Sequence, residues 1–214
     1  MLKLSIAQLC RNIVEFNSNC MKTQVILTQA FVAVSLLFTT GCIGPAKDKK
    51  EADAKAFEER GLNIVNSTKS HLVTNLMKAI ATYGTAGAVE FCNVHAMTLT
   101  DSIASLQDAR IRRVTDRPRN KANQANEAEL TYINLLKSKT ERHEALTPSI
   151  QLVDGKMTGY YPIQTAKMCI QCHGTVGTDI LPETSEKLLL LYPEDKATGY
   201  VENQLRGLFV VEMN

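Results

Sequence analysis

Two cysteines three residues apart, with a histidine directly after the second, constrain this chain more than any other feature: Cys169-Ile170-Gln171-Cys172-His173. Three soft or borderline donors are crowded into five residues, so the rest of the fold must enclose whatever they hold. Cys-x-x-Cys-His is the attachment pattern of a c-type haem. The spacing has a physical reason. The two thiols add to the vinyl groups on adjacent edges of the macrocycle, and the histidine that follows is then positioned under the iron as proximal ligand. A covalent tether keeps the cofactor even where burial is slight. Two other chemistries use the same residues. Cys92-x-x-His95 together with Cys169-x-x-Cys172 makes a Cys₃His zinc set, which leaves His173 without a role. Cys169 and Cys172 alone make a thiol redox pair in an oxidising compartment.

The start of the chain bears on the compartment. Residues 21–42 read MKTQVILTQAFVAVSLLFTTGC: a charged start at Lys22, an apolar stretch from Val25 to Phe38, small residues, then Cys42. This is the pattern of an export signal, and the apolar run is too short and too interrupted, at Thr28 and Gln29, for a membrane-spanning helix. The ending TTGC resembles a bacterial lipoprotein signal, although Thr39 stands where that pattern usually has Leu. The expectation is a signal over 1–41, with Met21 as the functional start, Cys42 as the lipidated N-terminus, a solvated tether over 42–54, and a periplasmic domain over 55–214. Covalent haem attachment is completed outside the cytoplasmic membrane, so signal and motif point to one compartment. Of the 24 basic and 22 acidic residues, Lys3, Arg11, Lys22 and Glu15 fall in 1–41, leaving 21 of each sign. A neutral chain without a basic stripe argues against a nucleic-acid partner.

Apolar residues at three- and four-residue steps predict a helix from about Asp53 to Tyr83 and a second from about Ala88 to Leu106. The break at Tyr83–Gly87 predicts an antiparallel helical hairpin. The basic, Asn-rich stretch 110–126 reads as a loop, and Glu127–Lys139 as a short helix. The period then changes. Asp154-Gly155 lies between two extended runs, the strongest short hairpin signal. Pro182 and Glu183 open a further helix, and the chain ends in a strand rich in Leu, Phe and Val. The fold class expected is α+β, an N-terminal helical hairpin packed on a small antiparallel sheet.

His173 supplies one axial ligand to a haem iron. For the other, Cys92, His71, His95, His143 and the methionines are all available, and composition does not choose among them. Cys92 lies on the apolar stripe Val89, Cys92, Ala96, Leu99, Ile103, Leu106, where most free cysteines are small buried hydrophobes; a stripe facing the core also faces a haem in that core. Arg112, Arg113 and Arg119 are candidates for the haem propionates, since Arg binds carboxylates bidentately. The alternative for these arginines is a solvated basic loop.

Three segments, AVEFCNVHA, RRVTDRPRNKANQANEAE and CIQCHG with a terminal RGLFVVEM, together resemble a family of small exported c-haem domains. These occur alone or ahead of bacterial histidine kinases and chemotaxis-type receptors. The resemblance covers about residues 55–214 and implies a PAS-like fold. It also implies that the motif cysteine, here Cys92, is an axial haem ligand opposite His173. Met97 stands where the family commonly has Pro, and Val114-Thr115-Asp116-Arg117 departs from its usual Ser-Lys loop.

An anionic thiolate ligand stabilises ferric iron and lowers the potential, and its bond weakens on reduction, the kind of event a redox or small-ligand sensor needs. The functional expectation is therefore a membrane-tethered haem c sensor, with a signalling or redox partner protein. A small low-potential electron-transfer cytochrome is the alternative. No nucleophile triad, acid–base carboxylate pair or nucleotide loop points to an enzyme.

Overall fold

The computed structural model describes residues 45–213, with side chains from Glu51 onward. The expected export signal, the expected lipidation at Cys42 and the first residues of the expected tether lie outside the described residues. No described helix is long and apolar enough to cross a membrane.

Helix α1 (Pro45–Leu106) is two helices joined at Gly84, whose backbone (φ 69°, ψ −178°) is non-helical. That conformation is open only to glycine, because a Cβ would meet the flanking peptide. The two arms fold back antiparallel. Ile64 and Val65 of the first pack with Ile103 and Ala104 of the second, and Arg60 donates to the Gln107 carbonyl at 3.4 Å. The expected hairpin is therefore present. Its first helix starts at Pro45, inside the stretch expected to be a tether, and the exposed side chains of Glu51, Ala52, Asp53, Lys55 and Ala56 keep that start solvated. Leu106, read as part of the apolar stripe, is 79% exposed because the helix ends there, beyond the sheet.

A four-stranded antiparallel sheet follows, in the order β1 (Ala109–Val114), β4 (Leu205–Met213), β3 (Lys156–Gln164), β2 (Ser149–Val153). Strand β1 (Ala109–Val114) lies in the region expected to be a loop. Its arginines hid the alternation. Ile111 joins the hairpin-side core and Val114 the opposite one, while Arg110 and Arg112 reach Glu212 across the ladder at 3.7 and 3.9 Å. Cross-strand pairs of opposite charge make a basic strand tolerable.

Strands β2 (Ser149–Val153) and β3 (Lys156–Gln164) form the expected hairpin. Asp154 and Gly155 both have positive φ, 50° and 77°, as a type I′ turn requires. Strand β4 (Leu205–Met213) runs between β1 and β3. An antiparallel sheet with the last strand at its centre is compatible with the PAS-like arrangement.

The helical hairpin covers one face of the sheet through Ile64, Val65, Tyr161, Phe209 and Val211. Helix α2 (Glu127–Glu141) covers the other through Ile133 and Leu136. A capping box starts α2: the Glu129 amide donates to the Asn126 side chain and the Glu129 carboxylate accepts from the Asn126 amide, both at 2.9 Å, satisfying two otherwise orphaned donors. Helix α4 (Pro182–Leu191) begins with Pro at its first turn and packs Leu188 and Leu191 against Val89 of α1. The fold is α+β, a helical hairpin on a small antiparallel sheet.

Candidate haem site

The Cys-x-x-Cys-His residues lie on two short turns, a 3₁₀ turn over Lys167–Cys169 and helix α3 (Ile170–His173). The turns are tied down from both ends. The Cys169 amide donates to Ala166 O at 2.8 Å, Gly199 N to Gly174 O at 2.7 Å, and Tyr200 N to His173 O at 2.8 Å. Gly174 ends the motif because nothing larger fits. A Cβ there would sit 2.5 Å from Ile170 Cγ2 and 2.6 Å from both Asp179 Cβ and Ile170 O.

The His173 ring is oriented by two contacts. Its Nδ1 is 2.7 Å from the carbonyl of Ala197, and its ring meets Tyr200 edge-on at 6.3 Å. A carbonyl only accepts, so Nδ1 carries the proton and the lone pair is on Nε2, the tautomer a metal ligand needs. Burial, and then repulsion from Arg119 and Arg206, hold the imidazole well below its usual pKa, against the opposing effect of the Ala197 bond. His173 is a neutral donor.

The facing wall comes from the second arm of α1. Val89, Cys92 and Ala96 recur at helical spacing and line, with Cys169, Cys172 and His173, a cavity of about 240 Å³. A second cavity of about 440 Å³ lies against the sheet. Arg113, Asn123, Cys169, His173 and Arg206 line both. The larger volume falls in the range of small-molecule and cofactor sites, roughly 300–1,000 Å³, and the smaller lies just below it.

Cys92, Cys169 and Cys172 form no disulfide among the described residues. Burial pushes the Cys92 and Cys172 thiols up; Arg119 pulls both back, and Arg113 acts on Cys92 as well. His71, His95 and His143 are all exposed and none lines either cavity. His95 packs on Phe91 at 4.8 Å instead. Among the candidate ligands opposite His173, the cavity wall keeps Cys92, Met97 and Met168. Met97 is 40% exposed, and Met168 is next to the attachment residues, so Cys92 is the donor best placed in the wall.

The arginines separate sharply. Arg112 and Arg113 are neighbours, so the strand period sends them to opposite faces of the sheet. Arg112 points to the α2 side, where it pairs with the buried Glu129 at 2.7 Å, away from the cavity linings that hold Arg113. The sequence reading of Arg112 as a propionate candidate does not account for that partner. Arg119 lines the cavity but is engaged by Asp195 at 2.9 Å and by the Cys172 carbonyl at 2.6 Å, so it holds the attachment turn in place. Among the described residues Arg113 donates to Ala96 O at 3.5 Å.

Arg206 was not among the sequence candidates. It donates to Thr115 Oγ1 at 3.0 Å and Arg117 O at 3.2 Å; among the described residues its buried Nε and the buried Tyr200 hydroxyl find no partner within hydrogen-bond distance, although the two side chains are near enough to interact. Arg206 and Arg117 both stack on the Tyr200 ring, at 5.2 and 4.4 Å, a cation–π arrangement that braces the residue edge-on to His173.

Among the described residues no three His, Cys, Asp or Glu side chains converge as a metal-ion cluster, so the Cys₃His zinc set is not assembled. The donor set fits a haem better. It has two thiols and a neutral imidazole on adjoining turns, a third thiol on the facing helix, a largely apolar lining, and cations for acidic substituents.

Comparison with known proteins agrees with this geometry. A search of curated proteins finds no match. Among solved structures, the crystal structure of the cyanobacterial haem protein Tll0287 superposes with a TM-score of 0.54 at 17% identity, covering 79% of this chain and 96% of that one. That likeness is one of fold. The sequence pattern of the Tll0287-like family matches residues 45–214, the hairpin, the sheet and the attachment motif together, and the chain belongs to that family.

Proposed function

We propose that the chain is an extracytoplasmic c-type haem protein carrying one haem, attached through Cys169 and Cys172, with His173 and Cys92 as axial ligands, and that it serves redox or small-ligand sensing. The observation that carries this reading is the shared lining of one cavity by Cys92, Cys169, Cys172 and a His173 whose Nε2 is free to donate. The solved haem protein of the same fold supports it. When bound, the haem supplies a one-electron couple and an iron that can take a small ligand.

The chain's own residues do the rest. Ala197 and Tyr200 set the imidazole, Arg119 fixes the attachment turn against Asp195, and the apolar wall of Leu76, Ile80 and Val89 excludes water from the Cys92 side. The solvated first turns of α1 fit a stalk leading from a lipid anchor at Cys42. A separate redox or signalling protein would receive the output.

Optical spectra of the purified protein test the reading. A Soret band that stays with the polypeptide after acid-acetone extraction is expected, and a colourless preparation overturns it. Cys92→Ala is expected to shift the Soret band and raise the reduction potential; an unchanged spectrum removes Cys92 from the iron. Carbon monoxide binding by the ferrous form would favour sensing, and a reversible couple without change of ligation would favour electron transfer.

A further inference from the structure

The half-buried cations that line the cavity are not all balanced. Arg119 has Asp195. Arg113 and Arg206, which line both cavities, form no ion pair within 4 Å among the described residues. Beyond that distance, Cys92, Tyr192 and Asp101 favour the charged form of Arg113, and Tyr200 and then Asp195 that of Arg206, against repulsion from Arg119. Desolvation depresses both guanidinium groups, and a guanidinium desolvated without an anion is costly.

The backbone aims Arg206 at this place by a specific device. Ile163 pairs with Gly207 and Gln164 with Leu205, so Arg206 is the extra residue of a bulge in β4. Side-chain alternation resets there: Leu205 lies in the α2-side core, whereas Phe209, Val211 and Met213 lie on the hairpin side. Without the bulge, alternation from Phe209 would turn residue 206 toward α2. Bulges re-aim side chains in this way next to functional sites. Gly207 permits it, because a Cβ there would sit 2.3 Å from the Val114 carbonyl oxygen.

We propose that Arg113 and Arg206 are the carboxylate-binding pair of this cavity and receive the two propionates of the haem. The proposal rests on the haem reading above and adds the orientation of the cofactor, with its acidic edge on the sheet side at the bulge. Charge supports it: a thiolate neutralises the ferric porphyrin core, two propionate charges are left over, and Arg113 and Arg206, without an ion pair among the described residues, meet them. Each guanidinium has the fork that matches a carboxylate.

The test uses holoprotein produced in cells fed 5-aminolevulinate labelled with ¹³C at its carboxyl carbon, which marks the propionate carboxylates. Isotope-edited redox-difference infrared spectra are compared for wild type, Arg113→Gln, Arg206→Gln and the control Arg112→Gln. The labelled stretch is expected to move in R113Q and R206Q and to stay in R112Q. Loss of each cation is also expected to shift the oxidised-to-reduced ratio about three- to tenfold toward oxidised at fixed potential, tenfold being about 59 mV for one electron. Arg113→Lys and Arg206→Lys, which keep the charge and lose the fork, serve if the glutamine variants do not accumulate. They should hold the ratio within about twofold and still move the stretch.

A labelled stretch unmoved in both glutamine variants, or moved equally in R112Q, overturns the pairing while the haem remains. A wild-type potential that follows added acetate, with the labelled stretch indifferent to the arginines, also overturns it and makes the pair a site for free carboxylates. Wild-type protein without covalent haem overturns the haem reading and the pairing with it.

Discussion

Arg119 shows what a single side chain does near the attachment motif. It spans Asp195 and the Cys172 carbonyl, so it connects the loop carrying Ala197, the acceptor for His173, to the turn that carries the cysteines. The side chains of Arg119 and Asp195 are 12% and 10% exposed, and removing one partner leaves the other nearly buried and uncompensated. Arg119→Gln is expected to lower unfolding free energy by about 2–3 kcal/mol, a partly exposed version of a buried-pair loss. Urea unfolding of the holoprotein measures it. Adding Asp195→Asn should recover part of the loss, because both charges are then gone. Spacing alone singled out Cys169, Cys172 and His173, which line one cavity. Arg206 was not legible, since an isolated Arg-Gly near a chain end carries no signal that a bulge will turn it inward.

At the scale of elements, the helical hairpin turns on one glycine. The Tyr83–Gly87 break was visible as a Gly-rich interruption of a 3.6-residue period, and Gly84 is the residue that turns the chain (φ 69°, ψ −178°). Beyond its own chain neighbours, a Cβ at Gly84 would meet nothing within 4 Å, so substitution there tests local backbone strain without a tertiary clash. Gly84→Ala is expected to cost about 1–3 kcal/mol, seen as a lower thermal midpoint with unchanged helical circular dichroism at low temperature. Strand β1 is the element the sequence concealed. Four arginines among residues 110–117 look like solvent-facing loop until Glu212 and Glu129 are brought across from β4 and α2, which a local window cannot anticipate.

For the whole molecule, Tyr161 joins the layers. It is buried on β3, packs in the hairpin-side core, and its hydroxyl donates to Glu58 O of α1 at 3.1 Å. Gly61 makes room, since a Cβ there would lie 1.9 Å from that hydroxyl. Burial, and to a smaller degree Glu58, push the phenol up to about 12. A phenol whose pKa is raised by folding is held neutral in the native state. Its contribution is complete below the unfolded value of about 10 and is lost as pH rises from there toward about 12. The urea midpoint is therefore expected to fall over that alkaline window, and Tyr161→Phe should flatten part of the fall. A profile identical in Y161F would show that other groups carry it.

Local chemistry and short periods were enough to single out the Cys-x-x-Cys-His run, the helical hairpin, the Asp-Gly turn, the α+β class and Cys92 as a candidate, because each depends on residues within a turn or two of one another. Sheet order, the side of the sheet to which Arg112 and Arg113 point, the engagement of Arg119 and the bulge that brings in Arg206 were decided only by the tertiary structure. They depend on which strand lies beside which, with what register, and on where an opposite charge arrives from distant sequence; neither is encoded in any single segment.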